Sequence, residues 1–278
     1  MTSLAVALIQ LRTPATQAEA LAHAEPLIRE AAAGGAKFIL TPEGTNLLQR
    51  DRAKLAAILA PAEEDVAVKG LLALAAELEV WLLIGSALVR REDGGAANRS
   101  ILAGPDGRVV ATYDKIHMFD VDLPTGERIR ESEAYAPGER AVIAETGFAS
   151  IGLTICYDVR FPYLYRALAK AGAQVLTVPS AFTRPTGAAH WETLLRARAI
   201  ENGAFMLAPA QGGTHADGRS TWGRSLIVGP WGEVIASAHD DEPQVVAATL
   251  DLDAAARARQ AIPSLNNERG FSGPDLVK

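Results

Sequence analysis

Apolar residues recur along this chain in two modes, short unbroken runs and longer stretches with a period near that of a helix. The unbroken runs predict buried strands at Leu4–Leu11, Phe38–Thr41, Val80–Val89 and Val175–Val178, because a strand covered on both faces needs no polar alternation. The helical period predicts helices over Thr16–Ala33, 63–79, 162–171, about 190–202 and 253–261, the first with a cap at Thr16 and a stop at Gly34-Gly35. Asn98–Ala103 and Val109–Tyr113 predict two strands around the turn Gly104-Pro105-Asp106-Gly107. Further strands are expected at 141–146, 150–155, 204–210, 223–229, 233–237 and 244–251. Residues 116–140 show no period and carry much charge, and a loop of that length is usually either functional or disordered.

Strands that alternate with helices predict the α/β class. Gly35-Ala-Lys-Phe-Ile-Leu-Thr-Pro42 aligns without gaps to Gly172-Ala-Gln-Val-Leu-Thr-Val-Pro179. Each segment follows an alanine-rich helix and is a short apolar strand ending at proline. The duplication predicts two similar β-α-β halves whose sheets pack face to face with helices outside. No linker separates them, so residues 1–278 are expected to form one domain.

Composition narrows the classes. With 49% hydrophobic and 22% charged residues the chain can build a sizeable core. A net charge of −6 without a basic cluster gives no footprint for nucleic acid. The single cysteine, Cys156, excludes an internal disulfide framework and paired-cysteine zinc sites, and fits a reducing, cytoplasmic setting. The start, Met1–Gln10, lacks a basic n-region, and the most apolar run, Val80–Val89, is about half a membrane span, so neither secretion nor membrane insertion is expected. No P-loop, Gly-x-Gly-x-x-Gly fingerprint or Gly-x-Ser-x-Gly elbow occurs.

Three residues share one placement. Cys156 ends an apolar strand just before a helix, flanked by Asp158 and Arg160; Glu43 follows the strand Phe38–Thr41; Lys115 follows Val109–Tyr113. Carboxyl ends of strands in α/β sheets are where ligands and catalytic groups gather. A lone cysteine is otherwise a small buried hydrophobe. Together, a thiol, an ammonium and a carboxylate suffice for attack on an amide carbonyl. The ammonium favours thiolate and, with the backbone N–H of Tyr157, stabilises an oxyanion. The carboxylate moves the proton and later activates water.

In order and context these residues resemble the Glu-Lys-Cys triad of the nitrilase (carbon–nitrogen hydrolase) superfamily. Its motifs are matched by Pro42-Glu43, by Asp114-Lys115-Ile116-His117 and by Cys156-Tyr-Asp-Val-Arg-Phe-Pro162. Within the superfamily the Nit branch is most similar, through Lys115–Asp120, Pro179–Thr183, Thr186–Glu192, Leu195–Asn202 and Pro230–Glu233; Tyr163, Gly203 and Arg224 depart from its pattern. The resemblance implies a four-layer α-β-β-α sandwich with an internal pseudo-two-fold, a homodimer with the tail from about 262 at the contact, and no metal or cofactor. It implies release of ammonia, through a thioester, from the terminal amide of a small acid such as deaminated glutathione or α-ketoglutaramate. Glu131 matches the superfamily's additional glutamate, with Glu127 and Glu133 as competitors. Arg160, Arg184 and His190 are candidates to hold the substrate, a carboxylate for the two arginines; Arg160 is alternatively a partner of Asp158. The rival readings are a papain-like enzyme using His117, His190 or His215 as base, an N-carbamoyl amidohydrolase, and a catalytically silent binding or assembly protein on the same fold.

Overall fold

The computed structural model describes residues 3–123, 126–274 and 276. Its first half runs β1 (Ser3–Gln10), α1 (Gln17–Ala33), β2 (Phe38–Leu40), α2 (Arg52–Ile58), α3 (Val66–Leu78), β3 (Trp81–Arg90), β4 (Ala96–Ala103) and β5 (Val109–Asp114). A small hairpin, β6 (Asp120–Asp122) and β7 (Arg128–Arg130), leads into the second half. There follow β8 (Val142–Glu145), β9 (Ser150–Leu153), α4 (Pro162–Lys170), β10 (Val175–Thr177), α5 (Arg184–Asn202) and β11 (Phe205–Ala208). A second hairpin, β12 (Gly212–Thr214) and β13 (Ser220–Trp222), precedes β14 (Leu226–Val228), β15 (Val234–Ser237), β16 (Gln244–Asp251) and α6 (Asp253–Ala261).

Two six-stranded sheets result, ordered β16-β1-β2-β3-β4-β5 and β8-β9-β10-β11-β14-β15. In each, the second, third and fourth strands are parallel and the flanking strands antiparallel. The sheets therefore have the same strand pattern, and the aligned segments at 35–42 and 172–179 carry β2 and β10, the third strand of each. This is the expected pseudo-two-fold.

Strand pleating sorts the side chains into layers. Leu4, Val6 and Leu8 of β1, with Phe38 and Leu40 of β2, face the other sheet and pack in one cluster with Ile151, Leu153 and Val175. The alternate residues Ala7, Ile9 and Ile39 face outward onto Ala24 and Ile28 of α1 and Val68 and Leu71 of α3. Leu164 and Leu168 of α4 and Leu195 of α5 belong to the same core cluster as the second sheet. The layers are α-β-β-α, and burial on both faces is why the central strands read as unbroken apolar runs.

Local chemistry moved several boundaries. α5 begins at Arg184, six residues before the expected 190, because Pro185 in its first turn removes only an N–H that would lack a helical partner. Thr16 occupies the cap of α1, yet its hydroxyl donates to Glu19 Oε2 at 2.6 Å instead of accepting from the backbone. The unanticipated α2 starts at Asp51, whose carboxylate takes the N–H groups of Ala53 and Lys54. The tail beyond 262 lies against α4 through Glu268, which pairs with Arg166 and Lys170; its positions 275, 277 and 278 lie outside the described residues.

At Gly85 the register of β3 against β4 shifts. A Cβ there would sit 1.7 Å from the Thr41 carbonyl oxygen and 2.5 Å from Pro179 Cβ, so only glycine lets the three segments meet. Both neighbours are stiff, so Gly85→Ala is expected to destabilise by about 3 kcal/mol, the upper end for overpacking. A melting temperature lower by roughly 10 °C would follow for a chain of this size. A thermal melt within a degree or two of wild type would refute the close approach.

Candidate active site

Glu43, Lys115 and Cys156 each stand just past the carboxyl end of a strand, β2, β5 and β9, and the structure brings them together with Glu131. Lys115, only 2% exposed, donates to Glu43 Oε1 at 2.8 Å and to both oxygens of Glu131 at 2.9 and 2.8 Å. Glu127 and Glu133, the competing glutamates, pair instead with Arg50 and Arg52. Glu131 is held in turn by the Phe119 N–H at 2.7 Å.

Two supports had not been anticipated. Asn98 Nδ2 bridges the carboxylates, 2.9 Å from Glu43 Oε1 and 3.2 Å from Glu131 Oε1, and the Ala181 N–H donates to Glu43 Oε2 at 2.9 Å. A polar Asn inside an apolar strand was the available signal for the first. No side-chain pattern marks the second, since its donor is backbone.

Cys156 opens a turn of 3-10 helix, Cys156–Arg160, with φ at 48°, a left-handed value that costs a non-glycine residue energy. The turn is fixed by Cys156 N–H donating to the Pro179 carbonyl at 2.9 Å and Ile155 N–H donating to Asp158 Oδ2 at 2.9 Å. The buried thiol lies near the Glu43 carboxylate, whose charge bears on it. Burial, then the Glu43 charge, pushes the thiol well above its ordinary value, so it rests protonated. For Glu43 itself burial pulls upward, but the Lys115 charge and the bonds from Lys115 and Asn98 hold it below the usual carboxylate value. Burial likewise opposes the Lys115 charge, and Glu131 and then Glu43 outweigh it and keep the ammonium charged. The set is a neutral thiol beside an ionised carboxylate, with an ammonium in place for developing negative charge.

These groups line a cavity of about 670 Å³, with Tyr157 and Arg184 also in its wall. Arg160 and His190 are not in the lining. They contact each other at 3.2 Å, with the Arg160 guanidinium over the Phe182 ring. Nor does Arg160 pair with Asp158, whose oxygens take Tyr113 O–H, Ile155 N–H, and the His117 N–H and ring Nδ1. Arg184 is tied to Asp241. The histidines of the papain-like reading are engaged elsewhere: His117 with Asp158 and Tyr163, His190 with Arg160, His215 with Thr13 and Thr221.

The model of the carbon–nitrogen hydrolase family matches residues 5–260. The chain belongs to the carbon–nitrogen hydrolases. A deaminated glutathione amidase from Synechocystis is 40% identical over 267 residues, covering 94% of this chain and 96% of that one. The omega-amidase NIT2 of Homo sapiens is 37% identical over 270 residues, covering 97% and 96%. The crystal structure of Saccharomyces cerevisiae Nit3, a member of branch 10 of the nitrilase superfamily, superposes with a TM-score of 0.84 at 28% identity, covering 94% and 95%. The Nit-branch resemblance and the sandwich of this hydrolase agree with these matches.

His215 lies in the hairpin β12–β13 beside Thr13. Burial is the main cause that pushes its imidazole down from 6.5 to about 4. The unfolded chain therefore binds this proton first as pH falls. The stability from a neutral His215 is fully present above pH 6.5 and is lost as pH falls toward about 4. At its full extent that is about 3 kcal/mol. His215→Gln in this hydrolase is expected to flatten the fall in urea midpoint across the window, and an unchanged slope would count against it.

Proposed function

We propose that this hydrolase releases ammonia from the terminal amide of a small carboxylic acid, of the deaminated glutathione or α-ketoglutaramate type, with Cys156 as nucleophile. The observation that carries the reading is the buried Glu43–Lys115–Glu131 cluster against the only thiol, at the floor of the cavity. The substrate type is suggested by the names of the relatives above.

In this reading Cys156 Sγ attacks the amide carbon as its proton passes to the neighbouring, ionised Glu43 carboxylate. The carbonyl oxygen becomes an oxyanion held by Lys115 Nζ and the Tyr157 N–H. Glu43 returns the proton to the departing nitrogen, the C–N bond breaks, and ammonia leaves a thioester on Cys156. Glu43 then takes a proton from water, the hydroxide adds to the thioester, and collapse frees the acid while the proton returns to sulfur. Glu131 keeps Lys115 charged and in place without joining the transfer.

Ammonia release over a panel of ω-amide acids, N-carbamoyl acids and aliphatic nitriles tests the reading, with the ω-amide acids expected to be processed best. Cys156→Ser should abolish turnover, because an alcohol in place of the thiol is a far weaker nucleophile. Glu43→Gln should lower kcat by about 10²-fold or more. Lys115→Arg should rescue poorly, since a planar guanidinium does not fit a site built for a point charge. A Cys156→Ser variant with most of its turnover would sink the mechanism, and preference for N-carbamoyl acids would replace the substrate class.

A further inference from the structure

Most arginines in the cavity wall are already committed. Arg130 grips Asp122 through two bonds of 2.8 and 2.9 Å, Arg50 holds Glu127 at 2.7 Å, Arg52 holds Glu133, and Arg184 holds Asp241. Each would have to break a charge-assisted pair before it could take up a ligand. Arg128 has its nearest acid at 3.7 Å, but its side chain is 73% exposed, where solvent screens its charge.

Arg219 differs from all of these. It lines the cavity at the start of the hairpin's return strand, one-third exposed, and its nearest acid, Asp217, stands off at 3.8 Å. Among the described residues its guanidinium makes no side-chain hydrogen bond, and Asp217 Oδ2, although buried, is also left without one. The turn that presents it is firm: His215 N–H donates to the Arg219 carbonyl, Gly218 N–H to the His215 carbonyl, and Arg219 N–H to Asp217 Oδ1. Gly218 supplies the left-handed φ of 82° that this turn needs. The base of the hairpin is anchored on the acid–base cluster, since Gln211 bonds both the Glu43 carbonyl and Thr13, and Thr13 meets His215. Tyr135, half-buried, lines the same cavity as Arg219, Glu43, Lys115 and Glu131.

We infer that Arg219 is the residue that grips the free carboxylate of the substrate and sets the preference for acid amides over uncharged ones. A guanidinium with unspent N–H donors offers a two-bond fit to a carboxylate, and its place in the wall of the cavity that Glu43, Lys115 and Cys156 also line gives the acid end of the ligand a partner separate from the groups at the reacting amide. The hairpin thus joins specificity to chemistry through one rigid element. This rests on the function proposed above and deepens it by assigning the group that recognises the acid.

The test compares glutaramate with pentanamide, its counterpart without the second acid group, in wild type, Arg219→Gln, Arg219→Lys and Arg184→Gln. In Arg219→Gln the ratio of kcat/KM for glutaramate to that for pentanamide should fall roughly 10- to 100-fold, carried mainly by KM, as expected when uniform binding is removed. Arg219→Lys should recover part of the ratio, and Arg184→Gln should leave it within about twofold of wild type. A second readout needs no turnover: glutarate should protect Cys156 from iodoacetamide in wild type, and at least ten times more of it should be required in Arg219→Gln. An unchanged ratio with unchanged protection, or a larger effect from Arg184→Gln, would overturn the assignment. If wild type releases ammonia from neither amide, the proposed function fails, and the protection assay alone decides for or against Arg219.

Discussion

A fully buried ammonium constrains everything around it in this hydrolase. Removing Lys115 from water is costly, and a buried charge persists only where opposite charges and hydrogen bonds compensate. Glu43 and Glu131 do so from two different segments, one after β2 and one in the stretch between β7 and β8. Each carboxylate is itself held, by Asn98 and by the N–H groups of Ala181 and Phe119. Loss of one partner in such a group is worth about 3–5 kcal/mol, so the loops that carry the partners are pinned by the charge they enclose. This is how Lys115, Phe119 and Glu131, in and beside the aperiodic stretch, are held around the site. Its outer glutamates, Glu127 and Glu133, add ties to Arg50 and Arg52 on the rim, which contribute little energy because they are exposed.

The duplicated architecture explains why four segments can meet at all. In both sheets the three parallel strands end on the same side, and their following loops converge. The loops after β2 and β10 occupy equivalent places in the two halves, and there Ala181 N–H reaches the Glu43 carboxylate. At Gly85, midway along β3, the third of the parallel strands comes within contact of both. The pseudo-symmetry is one of scaffold only. The loop after β2 supplies a carboxylate and the one after β10 a backbone donor, while the thiol comes from the strand next to β10.

What could be read in advance followed the physics of each signal. Strands buried on both faces announce themselves as apolar runs, and Glu43, Lys115 and Cys156 stand one to three residues past the ends of β2, β5 and β9. Hairpins of three-residue strands, β6–β7 and β12–β13, offer too few positions for any period, so the second hairpin and Arg219 at its turn went unread. Charge pairing fared worst. Asp158 and Arg160 are two residues apart, yet the 3-10 turn between them carries one carboxylate into the core and leaves the guanidinium beside His190. Arg184 looked free because Asp241, its partner, is 57 residues away. Sequence spacing reports neighbours along an element, whereas ion pairs between loops depend on the closed fold.

Asp158 shows what that closure does for the site. Its two oxygens collect four donors: Tyr113 O–H at the end of β5, His117 N–H and ring nitrogen just past Lys115, and Ile155 N–H beside Cys156. One buried carboxylate, outside the cavity lining, therefore fastens the lysine segment to the nucleophile turn. His117 is further fixed by stacking on Phe161 with ring centroids 3.5 Å apart and by the Tyr163 hydroxyl. Lys115 and Cys156 are thus held to each other twice, through Glu43 in the cavity lining and through Asp158 outside it. A left-handed cysteine persists only where its surroundings over-determine it, and this double attachment supplies that condition.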